Sequence, residues 1–559
     1  MMEDKPTDNL AAPACQADQT GRRCFLGLLL IVCVCLAIRT WVIAHTDVIA
    51  RDGTVYVKMA REWSAIPSGV IRSYDYHVGY PVALLGVHRL LAPLGLGEDL
   101  RSWELAGQTV SLLAAAAATA ALWLLAGMTF GWRIAWVTAL VFSLGRKWVD
   151  LGADVLSDSL AVAFQMWAIV LALATLARLE KRSPWALPLA AATGICAGLG
   201  YLVRPEALLA VGLAAVLWLA YRFRGRSTWR LTGGAVVLAV VAALLCVLPY
   251  ALAIGGLTKK KRLSDFVQGS VPSVWPLAQI GGGDTILAPV QALVACLTEA
   301  MHPILFFLAL LWLGAWIVRR TTSRKPWGQM LPLPQAQGAF MMVAAAAVEL
   351  PLLGALQVHV HYLSDRHLLF LAMLLSPLAG AGLLFAAQMV GSLGRSQKTT
   401  RAFLLALVPA AVIIGMLAHS LRPLHDGKGW YRQAGERLHV ILRDDDYILT
   451  DNSWILHYSE GKGESLDVRT LDADGLLRRI REGPQAATYL VLSEEDSAAS
   501  NRRLQPLLRP PIFNEVPGLN RTGADGAKRV RVFSINRSAL ENVIGRDHAI
   551  HRPPDKPSG

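Results

Sequence analysis

Residues 24–45 read CFLGLLLIVCVCLAIRTWVIAH, and residues 47–81 read DVIARDGTVYVKMAREWSAIPSGVIRSYDYHVGYP. The first stretch has the length and apolar character of one membrane-crossing helix, which needs about 20 residues. The second stretch is too polar for the hydrocarbon core, and it mixes carboxylates with aromatic side chains. Together they predict a membrane helix that opens into a polar loop at the bilayer surface.

Apolar runs of similar length recur as far as Ser420, whereas the sequence from Leu421 onwards is charged, mixed and free of such runs. Of the 559 residues, 54% are hydrophobic and 17% are charged. The predicted fold class is therefore an α-helical polytopic membrane protein with about 11 transmembrane helices. A small C-terminal α/β soluble domain follows them.

This prediction divides the chain into consecutive parts. Residues 1–23 form a cytoplasmic tail, and residues 24–420 form the transmembrane domain, with a first external loop at 46–102. Residues 421–548 form the α/β domain, because short apolar runs alternate there with helical patterns. Residues 549–559 are rich in proline and polar residues and are expected to be disordered.

Within the α/β domain the pattern predicts three helices and three strands. The helices are Trp430–Leu442, Leu471–Glu482 and Ser500–Leu508, and the strands are Tyr447–Thr450, Thr488–Ser493 and Val530–Ile535. Asp451, directly after the first strand, is expected to be either a ligand contact or a turn residue.

The formal net charge of +13 does not indicate a nucleic-acid partner, because the basic residues cluster in short loops between apolar segments. Four such loops all fall on the cytoplasmic side if Gly79–Gly97 lies in the membrane interface rather than crossing it. These loops are 178–182, 222–226, 319–325 and 394–398. The first loop and the C-terminal domain are then external, which in a bacterium predicts an inner-membrane protein with a periplasmic C-terminal domain.

The same topology collects ionisable side chains at the external membrane face. They are Asp52, His77, Asp158, Arg204, Glu206, Asp365, Arg366 and His367. Ionisable residues at span ends often only cap helices or reach towards water. Arg204 and Arg366 lie on the side where the charge rule disfavours cations, which favours a functional interpretation.

Five motifs between Cys24 and Phe385 resemble, in order, those of the GT-C superfamily of membrane glycosyltransferases. The resemblance is to the branch that contains the protein O-mannosyltransferases and aminoarabinose transferases. The motifs are Arg51–Tyr56, His77–Pro81, Ser157–Leu160, Tyr201–Glu206 and Asp365–Leu369. The chain departs from the pattern at Gly53, where mannosyltransferases usually have a second acid, and at Ser159 and Phe370, where relatives often have proline.

The resemblance implies transfer of a sugar from a polyprenyl-phosphate donor to a lipid, glycan or protein acceptor, with inversion at the anomeric carbon. It implies Asp52 as the general base, with Asp158 as a second carboxylate that orients acceptor or sugar. The alternative for Asp52 is a helix N-cap. Arg366 is the leading partner for phosphate, because a guanidinium binds phosphate oxygens bidentately. Arg204 is either a second partner or an ion pair with Glu206.

Further substrate contacts are expected from Tyr56, His77, Glu206, Lys260 and His367. Tyr56 would either stack on sugar or belong to the interfacial aromatic belt. Lys260 and its basic neighbours would hold either phosphate or anionic lipid headgroups. Membrane lipids are therefore expected partners as well.

A metal site is the less favoured expectation. His359 and His361 alternate on one segment near Asp365 and His367, but their spacing matches no strong metal motif. The seven cysteines lie mostly in apolar segments and form no Cys-x-x-Cys pair. No cofactor is therefore expected.

Two other classes of function compete with the glycosyltransferase. A transporter or flippase of lipid-linked glycans would place charges near the bilayer midplane, often on related broken helices. A non-catalytic scaffold would leave the one-sided set of carboxylates and arginines unexplained. The gathering of ionisable residues at one face favours the enzyme.

Overall fold

The structure is a computed structural model. It describes residues 12–259, 287–321, 336–360, 363–392, 398–466, 473–482, 487–493, 504, 507–522 and 529–542. The chain divides into two compact units. The membrane unit comprises Met1–Ala44 and Tyr56–Arg422, and the C-terminal unit comprises His45–Val55 and Pro423–Gly559.

The described secondary structure of the membrane unit is helical, with no strand among those residues. Its helices are α1 (Ala12–Ala44), α2 (Arg51–Ala65, begun in the other unit), α3 (Pro67–Ser73), α4 (Gly79–Leu91), α5 (Leu100–Phe130), α6 (Trp132–Ser143), α7 (Arg146–Ala153), α8 (Asp158–Glu180), α9 (Ala186–Val203), α10 (Leu209–Phe223), α11 (Trp229–Ile254), α12 (Leu287–Met301), α13 (Pro303–Thr321), α14 (Ala336–Val360), α15 (Leu369–Gly391) and α16 (Lys398–Ser420). Short 3-10 turns at Ala92–Leu94, Pro205–Leu208 and Asp365–Leu368 interrupt them.

The described residues contain nine single helices long and apolar enough to cross a membrane. A tenth candidate is the pair α12–α13, which is bent by 110°. The bend falls at His302, which has a φ of 77° and precedes Pro303, a residue that disfavours helical backbone at the position before it. The polytopic helical fold is confirmed. The segment around α4, predicted to lie in the interface, is a 13-residue helix that is too short to span.

Close backbone packing joins α9 and α11. A Cβ atom on Gly194 would overlap the carbonyl oxygen of Ala239, and one on Gly198 would lie 2.7 Å from the Cβ of Cys246. Small residues at such positions let membrane helices approach until their backbones touch, which strengthens van der Waals packing. This contact fixes the end of α9, after which the chain reaches Arg204.

Arg39 in the first span is a buried cation, 1% exposed, held by backbone carbonyls. Its guanidinium donates to the carbonyl oxygens of Cys35 at 3.1 Å, Ser143 at 3.3 Å and Trp148 at 3.0 Å. Ser143 is the last residue of α6, where carbonyls lack helical partners, and Trp148 lies in α7. Arg39 therefore ties the first span to the junction of α6 and α7.

The C-terminal unit is a mixed sheet with helices, as predicted. Its described elements are α17 (Gly429–Ile441), β1 (Tyr447–Thr450), α18 (Ser453–Ser459), β2 (Lys462–Ser465), α19 (Ala473–Glu482), β3 (Tyr489–Ser493), β4 (Phe513–Glu515), a 3-10 turn (Pro517–Leu519), β5 (Arg521–Thr522) and β6 (Arg529–Ile535). The strand order is β2-β1-β3-β6-β4, with β5 also on β6. β1 pairs parallel to β2 and β3, and the pairs that involve β6 are antiparallel.

Two predicted helices and all three predicted strands of this domain are present, while α18, β2, β4 and β5 were not predicted. The predicted helix at Ser500–Leu508 lies largely outside the described residues, as do the predicted tail 549–559 and most of 1–23. Both carboxylate oxygens of Asp451 accept from the backbone N–H of Ser493, at 2.9 and 3.0 Å, so Asp451 joins the ends of β1 and β3.

The C-terminal unit also holds the segment His45–Val55, which we call the entry segment. Trp454 Nε1 donates to the Ile49 carbonyl oxygen at 2.6 Å, and the Ile49 N–H donates to the Tyr458 hydroxyl at 3.3 Å. Arg432 donates to the Asp47 carbonyl oxygen at 3.1 Å. The Arg51 guanidinium lies 4.9 Å above the ring of Trp454, a cation–π contact. The start of α2 is thus fixed by side chains about 400 residues later in the sequence.

We expect Gly194→Ala to lower the thermal unfolding midpoint of the detergent-solubilised protein. The added methyl group has no room against α11, and overpacking of this kind costs about 1–3 kcal/mol. Gly212→Ala is the matched control, since Gly212 is an exposed glycine in α10 and nothing lies within 4 Å of its added methyl group. Equal midpoints for the two variants would contradict the close α9–α11 packing.

Candidate active site

Ionisable side chains converge where several helices of the membrane unit end. Asp158 begins α8, and Asp365–Leu368 leads into α15. Arg204 follows α9 in extended conformation, because Pro205 disfavours helical backbone at the preceding residue. At the other end of α8, Glu180 contacts Arg226 at 3.6 Å and accepts from Gln337 at 3.2 Å. The two ends of this helix group therefore carry separate polar clusters.

Asp158 is the centre of the first cluster, with an exposed fraction of 1%. Arg366 Nε donates to its two carboxylate oxygens at 3.2 and 3.1 Å, and Nη2 donates to Oδ2 at 2.6 Å. On the other oxygen, Arg204 Nη2 lies 2.9 Å from Oδ1. The N-terminus of α8 adds its positive dipole end to this environment. One buried carboxylate thus binds two guanidinium groups, which we call the Arg–Asp–Arg triad.

Arg204 also contacts Glu206, whose Oε1 lies 3.1 Å from Arg204 Nη1. The predicted alternative of an ion pair is therefore present, together with the contact to Asp158. Burial alone would lower the pKa of Arg204, but the carboxylates of Asp158 and Glu206 outweigh it and raise that pKa above its ordinary value. Arg204 is consequently a permanent cation in this site.

The neighbouring turn is ordered by its own contacts. Ser364 Oγ accepts from the Arg366 N–H, and His367 Nδ1 accepts from the Ser364 N–H at 3.2 Å, which forms a capping box. Lys147 from α7 forms an ion pair with Asp365. These contacts hold Arg366 in place against Asp158.

A pocket of about 270 Å³, which includes space open to solvent, adjoins the triad. His367 and Glu206, both predicted site residues, also line it. Two further polar residues line it that were not predicted, Gln165 and Glu349. Its apolar walls come from Ala161, Val162, Leu369 and Phe370.

Tyr56 and His77 are buried in aromatic groups of the membrane unit. The Tyr56 hydroxyl forms a hydrogen bond of 2.9 Å with Ser157, the residue before Asp158, and its ring contacts Tyr76 and Tyr80. His77 packs against Tyr201 and Tyr250 and lies 3.5 Å from the Thr258 hydroxyl. Tyr56 therefore packs beside the triad, whereas His77 belongs to a different group of side chains.

Asp52 is the second residue of α2, in its first turn, and belongs to the C-terminal unit with the entry segment. A carboxylate in a first helical turn is stabilised by the helix dipole, and the N-cap position before α2 is Ala50. Lys260 and His361 lie outside the described residues, as does the side chain of His359. No group of three His, Cys, Asp or Glu side chains suited to a metal occurs in the part of the chain that the structure describes.

Sequence reasoning missed Lys147, Gln165 and Glu349. Glu349 carried a usable signal, because an acidic residue in the middle of an apolar 25-residue helix is costly and usually functional. Gln165 lies in α8, two turns after Asp158, and helical periodicity places it on the same side of that helix. Lys147 gave no such signal, since it lies in a short amphipathic helix.

We expect Asp158→Asn to lower the thermal unfolding midpoint in detergent, because it leaves two guanidinium groups together without their shared carboxylate. Removing one partner of a buried ion pair costs about 3–5 kcal/mol. Both arginines keep some contact with solvent, which places the expected cost at the low end. Glu98→Gln, at an exposed acid, is the matched control and should leave the midpoint unchanged. A wild-type midpoint for Asp158→Asn would show that the triad does not stabilise the fold.

The chain is similar to known proteins in part of its sequence and in its fold. Residues 100–252 match the family model described as dolichyl-phosphate-mannose-protein mannosyltransferase. This segment runs from α5 into α11 and includes Asp158, Arg204 and Glu206, whereas Asp52 and Arg366 lie outside it. No curated protein sequence matches the chain.

Solved structures share the fold at low sequence identity. ArnT from Cupriavidus metallidurans in the apo state is 15% identical, with a TM-score of 0.55 over 92% of this chain and 98% of that one. The same protein bound to undecaprenyl phosphate is 13% identical, with a TM-score of 0.51 over 90% and 97%. The oligosaccharyltransferase of Archaeoglobus fulgidus in complex with zinc and sulfate is 13% identical, with a TM-score of 0.57 over 90% and 72%.

The matched family and these neighbours are glycosyltransferases and oligosaccharyltransferases. The resemblance of this chain to the GT-C superfamily of membrane glycosyltransferases is thus confirmed, by its fold and by the family match of residues 100–252.

Proposed function

We propose that this protein transfers a sugar from a polyprenyl-phosphate donor to an acceptor hydroxyl at the external membrane face. The observation that carries the proposal is the Arg–Asp–Arg triad beside a pocket, in a fold shared with ArnT. The structure of ArnT bound to undecaprenyl phosphate supports a lipid-phosphate donor. The acceptor is a lipid, glycan or protein that presents a hydroxyl group.

Asp52 is the proposed general base. The acceptor O–H bond breaks, its proton goes to the Asp52 carboxylate, and the oxygen forms a bond to the anomeric carbon of the sugar. The bond from that carbon to the phosphate oxygen breaks at the same time, so the lipid phosphate departs with the electron pair. Attack from the side opposite the leaving group gives inversion.

A base of this kind needs a fixed position, since small displacements of a catalytic group cost large factors in rate. The contacts of Trp454, Tyr458 and Arg432 with the entry segment meet that need. They immobilise the backbone that leads into the first turn of α2. The proposed role of the C-terminal unit is therefore to position Asp52.

The departing phosphate gains negative charge in the transition state, and fixed cations would stabilise it. The Arg–Asp–Arg triad has two positive charges and one negative charge, and the Glu206 carboxylate adds a second negative charge beside Arg204. Asp158 fixes the direction of both guanidinium groups, and Arg366 is the proposed phosphate partner with Arg204 beside it. In this arrangement Asp158 acts through the arginines as well as on the acceptor or sugar.

The opposite end of the helix group supports the proposed external location. The basic loops at 178–182 and 222–226 adjoin the Glu180–Arg226 contact, and positive charge favours the cytoplasmic side. The triad then lies at the external face. In a bacterium this gives an inner-membrane enzyme whose C-terminal unit is periplasmic.

We expect Asp52→Asn to lower sugar transfer in membranes by about 100-fold or more, the usual contribution of a positioned general base. The assay presents radiolabelled sugars on a panel of polyprenyl phosphates, with variants compared at matched expression. Asp75→Asn is the control, because Asp75 is an exposed carboxylate in the same loop region.

Equal transfer by wild type and Asp52→Asn would show that Asp52 is not the base, and Asp158 would then be tested. Movement of the lipid-linked sugar across the membrane without transfer would favour a flippase, the competing class of function.

A further inference from the structure

The pocket beside the triad contains two buried polar atoms that no hydrogen bond satisfies. Glu349 is 4% exposed and Gln165 is 2% exposed. Glu349 Oε2 and Gln165 Nε2 have no hydrogen-bond partner among the described residues. Both side chains line the same pocket.

Such atoms are costly to bury. A buried polar group without a partner destabilises the fold, and an acidic side chain inside a membrane helix adds a further penalty. Neither residue belongs to the triad, which is satisfied by its own ion pairs. The fold therefore keeps an unpaired carboxyl oxygen and an unpaired amide nitrogen on two residues that line one pocket.

Their position separates them from the phosphate partners. Gln165 follows Asp158 by two helical turns, or about 10 Å along α8. Glu349 lies in the middle of α14, which runs from Gln337, at the Glu180 end, towards the triad. The pocket is thus lined by charged side chains at the helix ends and by buried hydrogen-bonding groups farther along α8 and α14.

We propose that Glu349 and Gln165 bind hydroxyl groups of the donor's sugar ring and so determine which sugar the enzyme accepts. A hydroxyl group both donates and accepts, which matches a carboxyl oxygen and an amide N–H. The phosphate of the donor would lie at the arginines, with its sugar directed inwards. This inference rests on the proposed function.

The walls of the pocket suit the mixed character of a sugar ring, with apolar side chains beside hydrogen-bonding ones. Leu369 and Phe370 supply an apolar surface for the C–H face of a ring. The described residues of the pocket form no three-ligand metal group, so an organic ligand suits its polar atoms better than a metal ion.

The test combines donors and variants. Wild type, Glu349→Leu and Gln165→Leu are assayed for kcat/KM with the best polyprenyl-phosphate sugar and with analogues that each lack one hydroxyl group. We expect wild type to discriminate against one deoxy donor by 10-fold or more. In the leucine variants the parent donor should fall to the level of that deoxy donor, so the ratio approaches one.

Gln357→Leu is the matched control, because Gln357 in the same helix also has an unpartnered buried atom but does not line the pocket. It should keep the wild-type ratio. The thermal unfolding midpoint separates a binding role from a structural one. Replacing an unpaired buried polar group by an apolar side chain should leave the midpoint unchanged or raise it.

Each result decides between named alternatives. Unchanged discrimination in Glu349→Leu and Gln165→Leu, with transfer intact, would overturn the sugar subsite and leave the proposed function standing. Equal kcat/KM of wild type for the parent donor and for every deoxy donor would overturn the hydroxyl assignment. Absence of transfer by wild type from every donor would refute the proposed function, and the subsite with it.

Discussion

A single buried carboxylate, Asp158, organises the polar end of the membrane unit. Two arginines bind it from elements far apart in sequence, one after α9 and one before α15. Taking three charges out of water is expensive, and their mutual attraction offsets this cost only while all three are present. The ends of α8, α9 and α15 are therefore held together by one interaction. The geometry of the adjoining pocket depends on it.

Sequence patterns predicted the parts of this arrangement that local rules control. Apolar length and the placement of basic loops indicated the spans, and they put Asp158, Arg204 and Arg366 at one face. Periodicity also predicted β1, β3 and β6. The short strands β2, β4 and β5 were missed because each of them exists through pairing with a distant strand, not through its own composition. The hydrogen bonds of the entry segment are equally non-local.

The pocket shows a related limit of sequence reasoning. Ionisable residues at span ends drew attention because they gather at one face, while Glu349 is isolated within its own helix. Its partner in space, Gln165, is on a different helix, and only the packing of α8 and α14 brings both to one pocket. If only the stability of the fold mattered, apolar side chains would be better at both positions, since neither would leave a buried polar atom without a partner. The polar side chains at these positions therefore lower the stability of the fold, a trade-off that is common at functional sites.

The entry segment also constrains how the chain is threaded through the membrane. Because residues 45–55 and the chain from Pro423 onwards form one compact unit, both must lie on the same side of the bilayer. The intervening chain therefore crosses an even number of times. Its described residues contain eight single candidate helices, which is an even number, and the bent pair α12–α13. A bend of 110° lets such a pair enter and leave the bilayer at one face, which keeps the number of crossings even.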